Sequence, residues 1–351
     1  MPLSSGSGGG PVAASEPGRR EASGATLRDL AAAAGVSVAT ASRAFSRPEK
    51  VDTSTRERIL RLAAELKYVP NRAAQALITG RTMSLGLVVP DLNNPFYGGL
   101  IKGAQDLARS LGRSVLIADT DEDPDVELSI VEHLAQRTDA VVLCSSRMPD
   151  ADLERANRLG PVVLVNREHA GVPAVTFDSD SGVREAAVHL RALGHRRVGY
   201  VGGPVLSFSD AARSASLGQV FPEHGLEVVL LGNHEPTFEG GRRAADRVLL
   251  ADVTAVMVYN DVMAMGLVGR LLGYGLEIPR ELSVIGWDDI EFSEMFTPAL
   301  TTIRVPRAEA GRAAVEYLES ALTGHPIAPP RLETRLVFRQ TTARAHRRRA
   351  E

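Results

Sequence analysis

Several short β-branched apolar runs in this 351-residue chain stop at side chains able to hold a small polar molecule. The run 85–89 leads through Asn93 and Asn94 to the aromatic pair Phe96 and Tyr97. The run 162–166 closes on Asn166, with Arg167 next, and the run 198–203 leads through Ser207 to Arg213. The run 255–260 ends at Asn260, and 282–289 ends at Trp287, Asp288 and Asp289. A sugar requires flat apolar groups against its C–H faces, and amides, guanidiniums and carboxylates fixed around its hydroxyls. Phe96, Tyr97, Asn166, Arg167, Arg213, Asn260 and Asp288 supply that set. No serine or cysteine nucleophile stands in a recognisable relation to a base, so the set reads as a binding site, not an enzyme.

These residues need a scaffold that brings strand ends together. Runs 85–89, 114–118, 140–144, 162–166, 198–203, 255–260 and 282–289 read as buried parallel strands. Each is separated from the next by enough chain for a crossover helix. The expected fold is α/β, a doubly wound parallel-sheet domain in which ligands sit at the carboxyl ends of strands.

A different chemistry precedes it. Between Ala25 and Arg81 there are ten Lys/Arg against five Asp/Glu, although the whole chain carries a net charge of −3. Thr26 and Asp29 have the spacing of a capping box, and Leu27, Leu30 and Ala31 share one face of the short helix that follows. Gly35 permits a tight turn, and Ser37 caps a second helix running to about Phe45. Thr53 or Ser54 starts a third, with Glu57 completing a box after Ser54 and Ile59, Leu62 and Leu66 forming its apolar stripe. Two short helices about a Gly turn make a helix-turn-helix. The second presents Val38, Ala39, Thr40, Ser42 and Arg43: small residues permit close approach in a major groove, hydroxyls reach phosphates, and Arg bonds guanine bidentately. A three-helix bundle with no nucleic-acid role would carry the same helix pattern.

The segments 26–46 and 55–77 together resemble the headpiece and hinge of the lactose-repressor/galactose-repressor family, and the similarity continues to about Thr342. The Val38, Ala39 pair is similar to the galactose-repressor subtype. The resemblance implies that Val38, Ala39 and Arg43 read bases, and that Thr26, Ser37, Thr40, Ser42 and Thr55 hold phosphates. Lys50, Tyr68 and Asn71 belong to the same DNA-binding set. Leu77 would wedge into the minor groove, with Ala74 against the partner hinge. The 93–97 segment is similar to the ligand-facing segment of periplasmic ribose-type binding proteins, which implies that Phe96 and Tyr97 face a sugar ring while the remaining five residues surround its hydroxyls. Departures concern the ligand's identity: Ser216 and Leu217 replace a glycine and an aromatic after Arg213, Pro236 replaces an aromatic, and Asn166 stands where many sugar binders have Asp.

The expected organisation is a disordered 1–24 leader, a 25–70 headpiece, a 71–81 hinge helix and linker, a two-lobed 82–343 domain, and a basic 344–351 tail. The first lobe would comprise 82–178 and 307–335, the second 179–304 and 336–343. The implied protein is a cytoplasmic two-state switch: a homodimer on a palindromic DNA operator, biased by a small-molecule, sugar-like effector through a coupling of roughly 1–3 kcal/mol. The tail carries no leucine heptad, which favours a dimer over a tetramer. Competing readings are a purine or phosphosugar effector, or a sugar-binding receptor module without DNA. No membrane segment and no cofactor are expected: the 119–123 acidic run lacks the Gly and Glu of a calcium loop. Gly202, Gly203 and Pro204 are no dinucleotide fingerprint, and His189 and His195 lack zinc-site partners. A single cysteine, Cys144, fits a reducing compartment.

Overall fold

The computed structural model describes residues 25–46, 50–68 and 80–346. Its contacts divide the chain into two units, 1–80 and 81–351.

In the first unit, α1 (Leu27–Ala33), α2 (Val38–Ser46) and α3 (Thr53–Glu65) enclose a small core. Thr26 caps α1 reciprocally with Asp29, its hydroxyl donating to the carboxylate at 2.7 Å. Gly35 takes φ +64° at the α1–α2 turn, a value open to glycine at no steric cost. Leu30, Ala34, Ala44, Ile59 and Ala63 form the core, and the Phe45 and Tyr68 rings lie 5.8 Å apart beside it. The cap of α3 differs from the sequence expectation. It is Asp52, which accepts the Thr55 amide at 3.2 Å and the Ser54 hydroxyl at 2.6 Å, so neither Ser54 nor Glu57 makes a capping box. A carboxylate one residue upstream can meet the first free amides while Ser54 is already helical.

The second unit holds two sheets. The first contains β1 (Ser84–Val89), β2 (Ser114–Asp119), β3 (Ala140–Cys144), β4 (Val162–Val165), β5 (Ala174–Asp178) and β11 (Arg331–Glu333), in the order β11-β5-β4-β3-β1-β2. The second contains β6 (Arg197–Gly202), β7 (Glu227–Asn233), β8 (Ala255–Val258), β9 (Ser283–Asp288), β10 (Thr301–Arg304) and β12 (Arg335–Val337), in the order β12-β10-β9-β8-β6-β7. Their pairings are parallel except β10–β12. Helices α4 (Pro95–Ser110), α5 (Pro124–Ala135) and α6 (Asp150–Leu159) follow β1, β2 and β3, while α7 (Ser179–Ala192) leads into the second sheet. There α8 (Phe208–Glu223), α9 (Phe238–Leu250), α10 (Asp261–Gly273) and the short α11 (Phe292–Met295) follow β6 to β9 in turn. The chain then returns through α12 (Arg307–Leu322), which packs on α4.

The chain passes between sheets at Asp178–Ser179, between Arg304 and Arg307, and at Thr334. The last passage corrects the expected 335/336 boundary, because Arg335 already pairs with Arg304 in the second sheet. Thr334 joins two of the passages: its hydroxyl donates to the Asp178 carbonyl at 2.7 Å and accepts the Gly182 amide at 3.1 Å. The tail boundary also moves, since the Ala345 amide bonds the Leu193 carbonyl at 2.9 Å. Strand β2 is not buried as expected. It is a sheet edge, and Leu116 and Ile117 are 40% and 38% exposed.

Both sheets are faced by helix pairs packed at backbone contact. A Cβ built on Gly103 of α4 would lie 2.0 Å from the Ala308 carbonyl oxygen of α12, and one on Gly311 would lie 2.0 Å from that of Leu100. On the second sheet Gly241 of α9 and Gly266 of α10 stand in the same relation to the carbonyl oxygens of Met263 and Phe238, each at 1.9 Å.

Candidate functional site

On the first unit, Ala41 and Ala44 turn one face of α2 into the core. The periodicity of the helix then leaves Val38, Ala39 and Arg43 exposed, with Thr40 and Ser42 half-buried. Ser37 caps the helix through the Thr40 amide at 3.1 Å, and its hydroxyl lies 2.9 Å from that of Thr40. Arg43 keeps an internal bond from Nε to the Ala39 carbonyl at 3.1 Å. Lys50 is exposed and Thr55 half-buried. Tyr68 differs in setting from the other expected contacts: its ring packs against the headpiece core. Asn71, Ala74 and Leu77 lie outside the described residues.

In the second unit, loops after the strand carboxyl ends of both sheets frame a cleft. Its hinge-side end is a cavity of about 180 Å³ walled by residues including Asn166, Asp180, Phe208, Arg213, Trp287 and Arg331. Its outer end is larger, about 550 Å³, walled by Asp91, Asn93, Asp121, Glu122 and Arg147 from the first lobe and by the 204–206 and 233–237 loops from the second. The sheet orders explain this arrangement. The hinge side lies at β5 and β11, whereas β1, β2, β6 and β7 bring their loops to the other end.

Arg213 is the most constrained side chain of the inner cavity. Its guanidinium carbon lies 4.7 Å from the Tyr259 ring centre and 4.6 Å from that of Trp287. One nitrogen donates to the Tyr259 carbonyl and another lies 3.4 Å from Asp288. Burial pushes the Asp288 carboxyl up to about 8, Arg213 opposes the shift, and neighbouring Asp261 adds to it. Asp288 takes φ +116° and Asn166 φ +61°, backbone values that cost an L-residue free energy and cluster where structures hold ligands. Asn166 donates to the Ser145 hydroxyl at 3.0 Å.

Of the seven expected ligand residues, Asn166 and Arg213 wall the inner cavity, whereas Arg167, Asn260, Phe96, Tyr97 and Asp288 wall neither cavity. Arg167 turns into its own lobe, where it donates to the Ser146 carbonyl at 3.0 Å and pairs with Asp150 at 2.9 Å. The loop after β3 leaves carbonyls with no strand partner, and Arg167 satisfies them. Asn260 is fully buried: its oxygen caps α10 at the Met263 amide, 2.8 Å away, and its nitrogen donates to the Pro236 carbonyl at 3.0 Å. Both amide atoms are thereby used. Phe96 and Tyr97 meet edge to face at 5.1 Å and are buried in the core, and neither walls the two cavities. Burial raises the Tyr97 hydroxyl well above its ordinary value, and Arg147 beside it opposes that shift.

The sequence reading missed Arg147 and Glu122, which form a two-pronged pair at 2.5 and 3.2 Å in the outer cavity wall. It also missed Tyr259, His234 and Glu235. Arg147 follows β3 closely, so the strand-end rule that selected Asn166 could have found it. Among the described residues, no helix is long and apolar enough to cross a membrane, and no group of three or more His, Cys, Asp or Glu could hold a metal ion.

Comparison with known proteins gives the same two parts. Residues 26–71 match the model described as bacterial regulatory proteins, lacI family, and residues 187–342 match a periplasmic binding protein-like domain. The chain is 32% identical over 314 residues to the HTH-type transcriptional repressor CytR of Escherichia coli strain K12, covering 87% of this chain and 92% of the relative. It is 34% identical over 333 residues to the HTH-type transcriptional regulator GalR of the same strain, covering 92% and 95%. The crystal structure of the Lac repressor dimer bound to operator and the anti-inducer ONPF matches with a TM-score of 0.80 at 27% identity, covering 92% of this chain and 100% of that one.

A headpiece with an exposed recognition helix, carried on the same chain as a two-lobed cleft, defines a ligand-responsive DNA-binding transcriptional regulator. Those relationships are family-wide and span nearly the whole chain. The chain belongs to the lacI family of bacterial regulatory proteins.

Proposed function

We propose that this protein is a cytoplasmic repressor that binds a palindromic operator as a homodimer and whose hold on DNA is set by a free sugar in the cleft. The observation that carries the sugar reading is Arg213, which lies in the wall of the inner cavity against the Tyr259 and Trp287 rings and beside Asp288. Fixed donors and acceptors next to an aromatic face suit a polyhydroxylated ring. Phosphate recognition calls for Arg or Lys charge free to face the anion. Here Arg147 pairs with Glu122 and Arg331 with Asp178 at 2.9 Å, while Arg213 lies against two rings and donates to the Tyr259 carbonyl. This favours a neutral ligand over a phosphosugar.

On DNA, Val38, Ala39 and Arg43 would face bases, while Thr26, Ser37, Thr40, Ser42, Lys50 and Thr55 would face phosphates. The dimer rests on the likeness to the Lac repressor dimer and on the apolar side chains of edge strand β2. The first experiment is the shift in Tm across free sugars, phosphosugars, polyols and purines. A ligand at a hundredfold excess over Kd adds about 2.7 kcal/mol of stability. A shift with a free sugar that disappears in Arg213→Ala supports the reading, and a shift only with phosphosugars or purines overturns it.

A further inference from the structure

We infer that the outer cavity is a second saccharide subsite, so that the effector is an uncharged disaccharide or longer oligosaccharide lying along the cleft. The inference rests on the reading of the cleft as the effector site. The inner cavity, at about 180 Å³, is small beside the ~300–1,000 Å³ of typical ligand clefts. The outer cavity, at about 550 Å³, falls within that range. The space beyond Arg213 therefore exceeds the space around it.

The walls of the outer cavity specify what it would hold. Asp91, Asp121, Glu122 and Glu235 line it with one guanidinium, that of Arg147. Glu122 neutralises Arg147, and Arg243 outside the wall pairs with Glu235 at 3.3 Å, which leaves the excess carboxylate charge on Asp91 and Asp121. This surplus of carboxylates repels a phosphate or a carboxylate, and it offers acceptors to hydroxyl donors. Pro204, Val205, Leu206 and Pro236 give the second-lobe wall an apolar strip. Val205 and Leu206 are 81% and 65% exposed, a cost that a pyranose C–H face would relieve. Apart from the His234 imidazole, the wall has no aromatic ring on which a nucleobase would stack. His234 belongs to the same wall, and its Nε2, closed to solvent, has no hydrogen-bond partner among the described residues. A buried polar nitrogen left unpaired is costly, and a small movement would offer it to a sugar hydroxyl.

The test is calorimetric titration of the full-length protein with a panel of neutral monosaccharides, neutral disaccharides and their phosphorylated forms, with operator release as a second readout. A neutral disaccharide is expected to bind at least tenfold tighter than either of its component monosaccharides. Glu235→Ala and His234→Ala are expected to weaken the disaccharide several-fold while leaving monosaccharide affinity and operator binding unchanged. A disaccharide that binds no more tightly than its monosaccharide, or outer variants that leave disaccharide affinity unchanged, would overturn the second subsite while keeping the sugar reading. Binding of only phosphorylated ligands would overturn both, as would no saccharide binding by protein that still binds operator.

Discussion

Arg213 and Asp288 meet inside the second lobe with 3.4 Å between guanidinium nitrogen and carboxylate oxygen, each side chain all but closed to solvent. Arg213 is held by the Tyr259 and Trp287 rings, by the Tyr259 carbonyl at one nitrogen and by Asp288 at another, and it walls the inner cavity. Replacing it with alanine leaves Asp288 without its cation and a gap beside two rings. Breaking a buried pair by removing one partner costs roughly 3–5 kcal/mol, and here protonation of Asp288 holds the loss near the lower figure. Arg213→Ala is therefore expected to fold less stably, to keep operator binding, and to lose the Tm response to effector. A variant that still answers the effector with wild-type affinity would remove Arg213 from the site.

The pH dependence of the ligand-free protein follows from the same pair. Asp288 is pushed up to about 8 and Asp261 to about 6, both chiefly by burial, against about 3.9 for an unfolded aspartate. Between the unfolded and folded values the native state holds protons that the unfolded chain has released, so stability falls as pH rises. Tm is expected to decline from pH 5 to pH 8. Asp288→Asn should remove the decline above pH 6 and lessen it below, where Asp261 supplies the remainder. An unchanged slope between pH 6 and 8 in that variant would contradict the assignment.

Strand ends were legible in the sequence because apolar runs announce buried strands and the α/β rule places ligands at their carboxyl ends. Arg213 and Asn166, which wall the inner cavity, were selected that way, as was Asp288, which pairs with Arg213. The same rule selected Arg167 and Asn260 without revealing that loop carbonyls and a helix N-terminus consume their hydrogen bonds. Short polar strands escaped for the opposite reason. Strands β11 and β12 span three residues each, too few to show a period, and they are defined only by pairing with distant partners. Arg147 was missed because its partner Glu122 lies on another loop that only the sheet order brings near.

On the headpiece, Arg43 and Lys50 are expected to separate specificity from general affinity. Arg43 stands on the exposed face of α2, and a guanidinium bonded bidentately to guanine is worth about 1–3 kcal/mol of discrimination. Lys50 is exposed just before α3, where the proposed contact is to phosphate only. Arg43→Ala should relax sequence preference at one operator position. Lys50→Ala should weaken all sequences alike and reduce the salt slope of log K by about 1. Binding titrations over a salt series, on operator and on mismatched sites, distinguish the two.

The headpiece core is small enough for one side chain to decide its stability. Leu30 is fully buried among Ala34, Ala44, Ile59 and Ala63, where alanines leave little able to collapse into a gap. Leu30→Ala is expected to cost about 2–5 kcal/mol, most of what so small a unit has. Operator binding should be lost while effector binding persists, seen as a retained ligand shift in Tm and increased proteolysis confined to the first unit.

Two glycine-to-alanine substitutions in long helices should act in opposite directions. Gly103 of α4 lies against the backbone of α12, and an added Cβ would be 2.0 Å from the Ala308 oxygen. That atom is main chain and cannot rotate aside, so the helices must separate, and the reciprocal contact of Gly311 with Leu100 separates with them. Gly103→Ala is expected to destabilise by at least the ~1–3 kcal/mol of overpacked cores. Gly218 of α8 is exposed, within its helix, and has nothing within 4 Å of an added Cβ. There alanine relieves only the conformational entropy that glycine loses in a helix, and Gly218→Ala should stabilise by about 0.5–1 kcal/mol. Urea unfolding monitored by circular dichroism reads both as shifts in midpoint. If the two substitutions move the midpoint in the same direction, the backbone contact between α4 and α12 is not what requires glycine at 103.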